Sequence, residues 1–283
     1  MTELSPFETK LTQEDRKALW KAVTALETQS FISRITEISG EPITKLLRSL
    51  PGPVTHGING AVQIALRRAL EAALYKLDSG FPEPGRLGYK VLSGVTGGVS
   101  GFFGLATLAV ELPITTTMML RSIANIARQQ GEDLALRGPQ LACLEVFALG
   151  AGDRGKGPTA ETSYFAIRTF LARTVSKATE ALAERGIART SAPVIVELIS
   201  AIGSRFGIVV SEKIAAGAIP VVGAIGGATV NLAFMEHFQK LAHAHFAIRR
   251  LERLHGQAEV FRLYEAYAPL VRAKAEKRTA AAS

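Results

Sequence analysis

The chain has 283 residues, enough for one large or two modest domains with a proper hydrophobic core. It is 47% hydrophobic and 20% charged, a composition that excludes a disordered or fibrous protein. The formal net charge is +8, and the single cysteine, Cys143, excludes a disulfide framework or a multi-cysteine zinc site. The polar start, Thr2 to Asp15, lacks the pattern of a signal peptide, so we expect a reducing, cytoplasmic setting.

Apolar residues at helical spacing begin near the amino terminus. Thr12 and Asp15 form a Thr-x-x-Asp start signal, and the pattern predicts one helix from there to Ile38, stopped by Gly40. The Pro-Gly-Pro sequence at 51–53 interrupts the chain. A second amphipathic helix is predicted over 54–77.

A loop at 79–88 follows, with two prolines and three glycines. Because such a composition favours an irregular connection, it is the predicted boundary between two parts of the chain. These parts are an N-terminal helical extension, residues 1–80, and a main helical domain, residues 81–283.

The remainder also has helical spacing, and the alternating pattern of strands is essentially absent. Pro113 fits the first turn of a helix that ends near Gly131. Further helices are predicted, in chain order, over 139–149, 163–185, 193–216, 231–255 and 259–277. The sequence therefore predicts an all-α fold.

Two long uncharged segments stand out in this series. The first apolar segment has 20 residues, 91–110, between Lys90 and Glu111, and the second has 22 residues, 214–235, between Lys213 and Glu236. A helix of 20 residues is about 30 Å long, the thickness of the hydrocarbon layer of a membrane. Length alone would make both segments candidates for membrane insertion.

Small residues at spacings of four recur in both segments. Five glycines in the first segment oppose helix formation by roughly 5 kcal/mol, so close contact with another helix must offset the loss. The predicted helix-packing positions are Ser93, Gly94, Gly97, Gly98, Gly101, Gly223 and Gly227. The segments are interpreted either as a hairpin buried in the protein or as a membrane-inserted pair, because polar residues and Pro220 keep the hydrophobicity borderline.

Half of the positive excess lies in the last 48 residues, which carry 9 basic and 5 acidic groups. Basic helical faces bind the phosphates of anionic lipid headgroups or of nucleic acid, although interleaved glutamates also fit a solvated helix face. We expect no nucleic-acid binding, because no reader motif accompanies the charge. The predicted anionic-surface residues are Arg249, Arg250, Arg253, Arg272 and Lys274.

Two pairs of residues are weak candidates for catalysis. They are Glu111 with Arg121 and Glu236 with His243. Burial would raise the pKa of the carboxyl group in either pair, which could then act as a general acid or base. Buried ion pairs are the alternative interpretation. The histidine spacing does not suit a metal site, and we expect neither a metal nor a cofactor.

Several ordered blocks of sequence resemble the EcsC family of bacterial proteins, over roughly residues 85–270. The blocks are GFFGLATLAVELPITTTMMLRSIANIARQQGEDL within 98–134, LACLEVFALG at 141–150, YFAIR at 164–168, and IPVVGAIGGATVNLAFMEHFQKLAHAHFAIRRLER at 219–253. The family is named after a gene beside those of an ABC transporter. The resemblance therefore implies a link to membrane transport or secretion, and it transfers no catalytic residue.

The leading functional hypothesis is a non-enzymatic cytoplasmic protein, peripheral to the inner membrane or bound to a membrane protein complex. Its glycine-rich segments would supply packing or insertion, and its basic C-terminal helices would attract anionic headgroups. The alternatives are a hydrolase-like enzyme that uses the carboxylate pairs above, and a helical scaffold that binds another protein.

Overall fold

Helices alone make up the regular structure in the part of the chain that the computed structural model describes. That part comprises residues 9–28, 30–39, 47, 52–76, 86–151, 164–185, 192–217 and 227–282, with the helical backbone alone for 38–39, 53, 75–76, 86–107, 185, 227–228 and 278–282. Its nine helices are α1 (Gln13–Thr28), α2 (Phe31–Ser39), α3 (Gly52–Lys76), α4 (Arg86–Gln129), α5 (Arg137–Leu149), α6 (Tyr164–Arg185), α7 (Pro193–Gly217), α8 (Gly227–His255) and α9 (Gln257–Ala282). The predicted all-α fold is confirmed.

The first helix begins where its start signal predicts. The Asp15 amide donates to Thr12 Oγ1 at 3.1 Å, which satisfies one of the free N–H groups of the first turn. The prediction of one helix through to Ile38 is wrong, because a second start signal interrupts it. Ser30 Oγ accepts from the Ser33 amide at 3.1 Å, and α2 begins directly after Ser30. A local serine cap thus competes successfully with continued helix.

Pro113 does not begin a helix, contrary to the prediction. It lies inside α4, which is already helical from Arg86 onwards. A proline there leaves the carbonyl of Ala109 without its usual donor, but Ala109 is exposed, so water can replace the missing bond. The helix ends at Gln129, near the predicted Gly131, which has φ +80°.

Helix α8 lies at the centre of the fold. It packs against α1, α2, α4, α5, α7 and α9, and its inward side chains are almost all apolar. Aromatic rings dominate the contacts: Phe238 lies with its ring centroid 5.4 Å from that of Phe147 and 5.5 Å from that of Phe206. Full burial of such rings is the largest apolar contribution that single side chains make to folding.

The N-terminal helices belong to the same hydrophobic core as the rest. Leu19 of α1 and Ile58 of α3 are buried in it together with residues from α4 to α9. The predicted boundary at residue 80 lies in 77–85, outside the described residues, and the division into 1–80 and 81–283 stays a prediction. Of the glycine-ridge residues, Ser93 to Gly101 lie in α4 and Gly227 begins α8, whereas Gly223 is outside the described residues. Close packing of that ridge also stays a prediction.

Substitution by alanine at two glycines should change the stability of the protein in opposite directions. Gly256, between α8 and α9, has φ +88°, so Gly256→Ala should destabilise the protein by about 1–2 kcal/mol. Gly60 is exposed inside α3 with nothing within 4 Å of an added Cβ, so Gly60→Ala should stabilise it by about 0.5–1 kcal/mol. Urea unfolding of both variants checks the signs, and equal effects would contradict the structure.

Candidate functional site

An ion pair joins the two apolar segments. Lys213 Nζ lies 2.7 Å from Glu111 Oε1, and the two side chains are only 10% and 11% exposed. Glu111 directly follows the first segment and Lys213 directly precedes the second. The Lys213 ammonium also lies 5.1 Å from the ring centroid of Phe234, which belongs to the second segment. We call Glu111, Lys213 and Phe234 the apolar junction.

The register between α4 and α8 supports the same placement. Gln239 donates to Ser122 at 2.8 Å, and Arg249 donates to Glu132 at 2.8 Å. Both pairs are offset by 117 residues, with Glu132 just after the end of α4, so α4 and α8 run parallel. Extended to the start of α8, the same offset places Gly227 level with Val110. The residues of α4 before Val110 therefore continue past the start of α8.

The second apolar segment is shared between two helices. Its first residues complete α7, where Ala215 and Ala216 are buried, and its last residues begin α8, where Val230 and Phe234 are buried. The nine residues between, 218–226, lie outside the described part of the chain. The described ends of this segment are therefore packed in protein.

Within the described residues, one helix is long and apolar enough to cross a membrane, judged by length and composition. It is α7, with a mean hydropathy of 1.8 over its most apolar stretch, half of which is buried in the protein. Core helices of soluble proteins have the same properties, so this finding by itself is weak.

The predicted catalytic pairs are not brought together. Glu111 and Arg121 are ten residues apart on one helix, a rise of about 15 Å, and the Glu111 carboxylate binds Lys213. Glu236 and His243 are two turns apart on α8, and His243 is exposed. In the described ranges no three histidine, cysteine, aspartate or glutamate side chains form a group able to hold a metal ion.

Two other histidines of α8, His237 and His245, face the interior. His237 donates to the Gly150 carbonyl oxygen at 3.1 Å, and burial lowers its pKa to about 4. His245 is fully buried, and burial lowers its pKa well below the usual value. Both rings are therefore neutral at physiological pH.

The basic C-terminal residues mostly have partners within the protein. Arg249 and Arg253 both bind Glu132, and longer ion pairs join Arg250 to Asp15 at 3.6 Å and Arg272 to Glu27 at 3.7 Å. Lys274 lies over the ring of Trp20, 5.9 Å from its centroid. Binding of these residues to an anionic surface stays a prediction, but four of them already have acidic partners.

A second cluster lies in the core where α5, α6 and α8 meet the end of α4. It consists of charged groups and two polar rings that act on one another, with Arg253 at the exposed edge. We call these residues the buried charge network: Glu132, Glu145, Tyr164, Arg168, His245, Arg249, Glu252 and Arg253.

Two carboxylates in this network bind guanidinium groups with both oxygens. Arg168 of α6 donates to Glu252 of α8 at 2.7 and 3.1 Å. Arg249 of α8 donates to Glu132 at 2.8 and 3.1 Å. Bidentate pairs of this kind are among the strongest hydrogen-bonded contacts in proteins, and here they join α6 and the 130–136 segment to α8.

Tyr164 and His245 complete the network. Arg168 donates to the Tyr164 hydroxyl at 3.3 Å, and this hydroxyl lies 3.0 Å from His245 Nδ1. Tyr164 can therefore donate to Nδ1, which places the ring proton on Nε2, and Nε2 has no hydrogen-bond partner. Burial is the main cause that raises the pKa of Tyr164, so its hydroxyl stays protonated.

Glu145 differs from Glu132 and Glu252, which both bind guanidinium groups. It lies on α5, is 8% exposed, and makes no hydrogen bond or ion pair with the residues that the structure describes. Burial raises its pKa, against the opposing charges of Arg249 and Arg168. Glu145 therefore holds its proton at a higher pH than an ordinary glutamate does.

Sequence reasoning missed this network. Glu145 lies in the apolar run LACLEVFAL, and a charged residue inside such a run was the available signal. The pairing of Arg168 with Glu252, 84 residues apart, had no local signal because it depends on how α6 packs on α8. The arrangement can hold a proton and tie helices together, and the neighbouring thiol of Cys143 is fully buried, which raises its pKa.

Fold and site together define an all-α protein with a charged interior and a junction of two apolar segments. Comparison with known families identifies it further. The sequence model of the EcsC protein family matches residues 10–251, so the chain belongs to that family. Neither a curated protein nor a solved structure matches it.

The pairing of Arg168 with Glu252 can be tested by removing one or both partners. Arg168→Met leaves a buried carboxylate without its partner and should destabilise the protein by about 3–5 kcal/mol. Replacing both, Arg168→Met with Glu252→Leu, should recover most of that loss. Chemical denaturation of the single and double variants measures the effect. Equal losses in both would show that the two residues act independently.

Glu145→Gln should change how stability depends on pH. Because the folded pKa is raised, the folded state binds this proton more tightly than the unfolded state, so wild-type stability falls as pH rises from the unfolded pKa to the folded one. The variant should match wild type at low pH and exceed it above the folded pKa, by about 1.4 kcal/mol for each unit of pKa elevation. Urea unfolding at a series of pH values measures this, and parallel curves would contradict it.

Proposed function

We propose that this protein is a non-enzymatic, membrane-associated helical protein that inserts its first apolar segment into the bilayer at the end of the fold where the apolar junction lies. The observation that carries the proposal is the ion pair between Glu111 and Lys213, because it brings the two longest uncharged segments to one place.

The length of α4 supports insertion. Its residues 91–110 are uncharged and lie on a continuous helix, so they cover about 30 Å, the thickness of a hydrocarbon layer. Upstream of Val110 they run past the start of α8 and so lack α8 as a packing partner. The end of α7 and the start of α8, which border residues 218–226 of the second apolar segment, lie at the same end of the fold.

The charges that border the segments favour this assignment. Glu111 and Lys213 would each resist transfer toward lipid, but as a close pair beside Phe234 they present no net charge there. The C-terminal arginines contribute less in this proposal than the sequence alone predicts, since Asp15, Glu27 and Glu132 already bind four of them.

The setting that we propose is the cytoplasmic face of the inner membrane, alone or with a membrane protein complex. Membership of the EcsC family supports this setting only through the link to membrane transport that the family's name implies. A catalytic role has no comparable support, because the carboxylate pairs proposed for it are separated in the fold.

A single charge in the first apolar segment tests the proposal. Val99→Arg places a guanidinium in the middle of the segment, at a cost for insertion of about 2.5–3.5 kcal/mol, or ~100-fold in vesicle binding. The matched control is Phe170→Arg on α6, where the side chain is already 65% exposed. Flotation with vesicles of neutral and anionic phospholipid should retain the control and wild type and lose Val99→Arg.

Circular dichroism of each variant establishes that folding is unchanged. Carbonate washing of cell membranes then separates insertion from electrostatic attachment, since an inserted protein stays with the membrane. Wild-type protein that fails to float with vesicles at low ionic strength, or Val99→Arg that floats as well as wild type, would overturn the proposal.

A further inference from the structure

Exposure is inverted at the end of the fold where the apolar junction lies. Val110 is 66% exposed, whereas the side chain of Glu111, the next residue of α4, is only 11% exposed. Ile114, one turn after Val110 on the same face, is 44% exposed, and Leu232 of α8 is 45% exposed. In contact with water the reverse is expected, with charged side chains outside and large apolar ones buried. We call Val110, Ile114 and Leu232 the apolar rim.

The residues of the apolar rim lie side by side on α4 and α8. Gln239 of α8 donates to Ser122 of α4. Seven residues before the members of this pair stand Leu232 and Thr115, respectively. Because seven residues make nearly two full turns, these two residues lie on the same helix faces as the hydrogen-bonded pair. The register therefore places Leu232 beside Thr115 and next to Ile114, so the rim is one patch and not a set of scattered side chains.

In the described stretches of the three helices that meet at this end, no charged side chain is exposed. The stretches are 108–118 of α4, 208–217 of α7 and 229–235 of α8. They contain three charged residues, namely Glu111, Glu212 and Lys213. The first and last of these form the ion pair of the apolar junction, and Glu212 is 2% exposed. The surface that these stretches present is therefore uncharged, although the chain carries charges within it.

Charged residues return on α4 and α8 at nearly one level. After Glu111 the next charged residue of α4 is Arg121, and the first of α8 is Glu236. The offset of 117 residues places Arg121 level with Phe238, so the two charged residues differ in height by about 3 Å. From Lys90, before the first apolar segment, to Arg121 the helix rises by roughly 46 Å, close to the 40–45 Å of a bilayer with its headgroups.

We infer that the folded end bearing the apolar rim is itself embedded among phospholipid acyl chains, with Arg121 and Glu236 marking the level of the headgroups. This inference rests on the proposed insertion of the first apolar segment and sets how deep the protein lies. The ion pair of Glu111 with Lys213 then lies below the membrane surface and is shielded from lipid by protein. Enclosed charges beside exposed apolar side chains are the arrangement that such a position requires.

Phospholipid fits the apolar rim better than a protein partner does. The rim continues the first apolar segment on the same helix, and Val110 is the last residue of that segment. A bilayer that holds residues 91–110 therefore reaches the rim without any further contact. Exposed apolar patches of this kind mark surfaces that leave water when they bind.

Fluorescent labels on single cysteines test the depth of the apolar rim in the full chain. The buried thiol is removed by Cys143→Ala. Four variants then each carry one new cysteine and a nitrobenzoxadiazole label: Val99→Cys, Ile114→Cys, Leu232→Cys and Phe170→Cys. Each is mixed with vesicles of neutral and anionic phospholipid that contain a quencher either near the headgroups or deep among the acyl chains. Circular dichroism establishes that every labelled variant is folded.

The labels at 114 and 232 should emit at shorter wavelength when vesicles are added, and the shallow quencher should act on them more than the deep one. The label at 99, in the middle of the first apolar segment, should be quenched more by the deep one. The label at 170 is the matched control. Phe170 is 65% exposed, but it lies on α6 beyond Arg168, which binds Glu252 near the far end of α8. Its emission should not change.

The outcomes separate this inference from the proposed function. Emission typical of water at all four positions would overturn the proposed insertion, and this inference with it. Deep quenching at 99 while the labels at 114 and 232 stay in water would overturn the inference alone. A shift of the labels at 114 and 232 when the protein is concentrated without vesicles would assign the rim to a second copy of the chain, and that result too would overturn it.

Discussion

The contact between Glu111 and Lys213 constrains the rest of this molecule most strongly. Each residue ends or begins a run of twenty or more uncharged residues, and each would be costly to bury alone. Pairing at 2.7 Å removes that cost and thereby fixes where the first apolar segment meets the second. The pair ties α4 to α7 at the end of the fold where α8 begins.

At the other end of α4, buried charges are stabilised by a larger set of ion pairs. There the fold encloses several arginines and carboxylates, and bidentate pairs between them join α6 and the 130–136 segment to α8. Several arginines that contribute to the positive charge of the sequence are therefore neutralised by carboxylates within the protein. Net charge therefore overstates how much of the C-terminal region is available to an anionic partner.

Helices were predictable here because their signals are local. Apolar spacing and caps placed α5, α6 and α7 within a residue or two, and the Thr12 signal marked the start of α1. The failures were at Ser30 and Pro113. In both cases a residue permitted two local structures, and the choice depended on neighbouring turns and on solvent access that a short window of sequence does not contain.

The candidate sites also combine features that local sequence reveals with features that depend on how the helices pack. Sequence identified Glu111 as a carboxylate in need of a partner, yet the partner is Lys213, 102 residues away, and not Arg121 on the same helix. The sequence also identified the two apolar segments, because their lengths can be read directly from the order of residues. The burial of Glu145 depends on how α6, α8 and the segment after α4 pack around α5.

The sequence by itself determined the helical class, the family and the two uncharged segments, since composition, spacing and ordered motifs are properties of the chain alone. Tertiary structure decided which charges are neutralised. Pairing requires side chains from distant helices to come within about 3 Å, and that distance is set by how apolar faces pack, which no local pattern specifies.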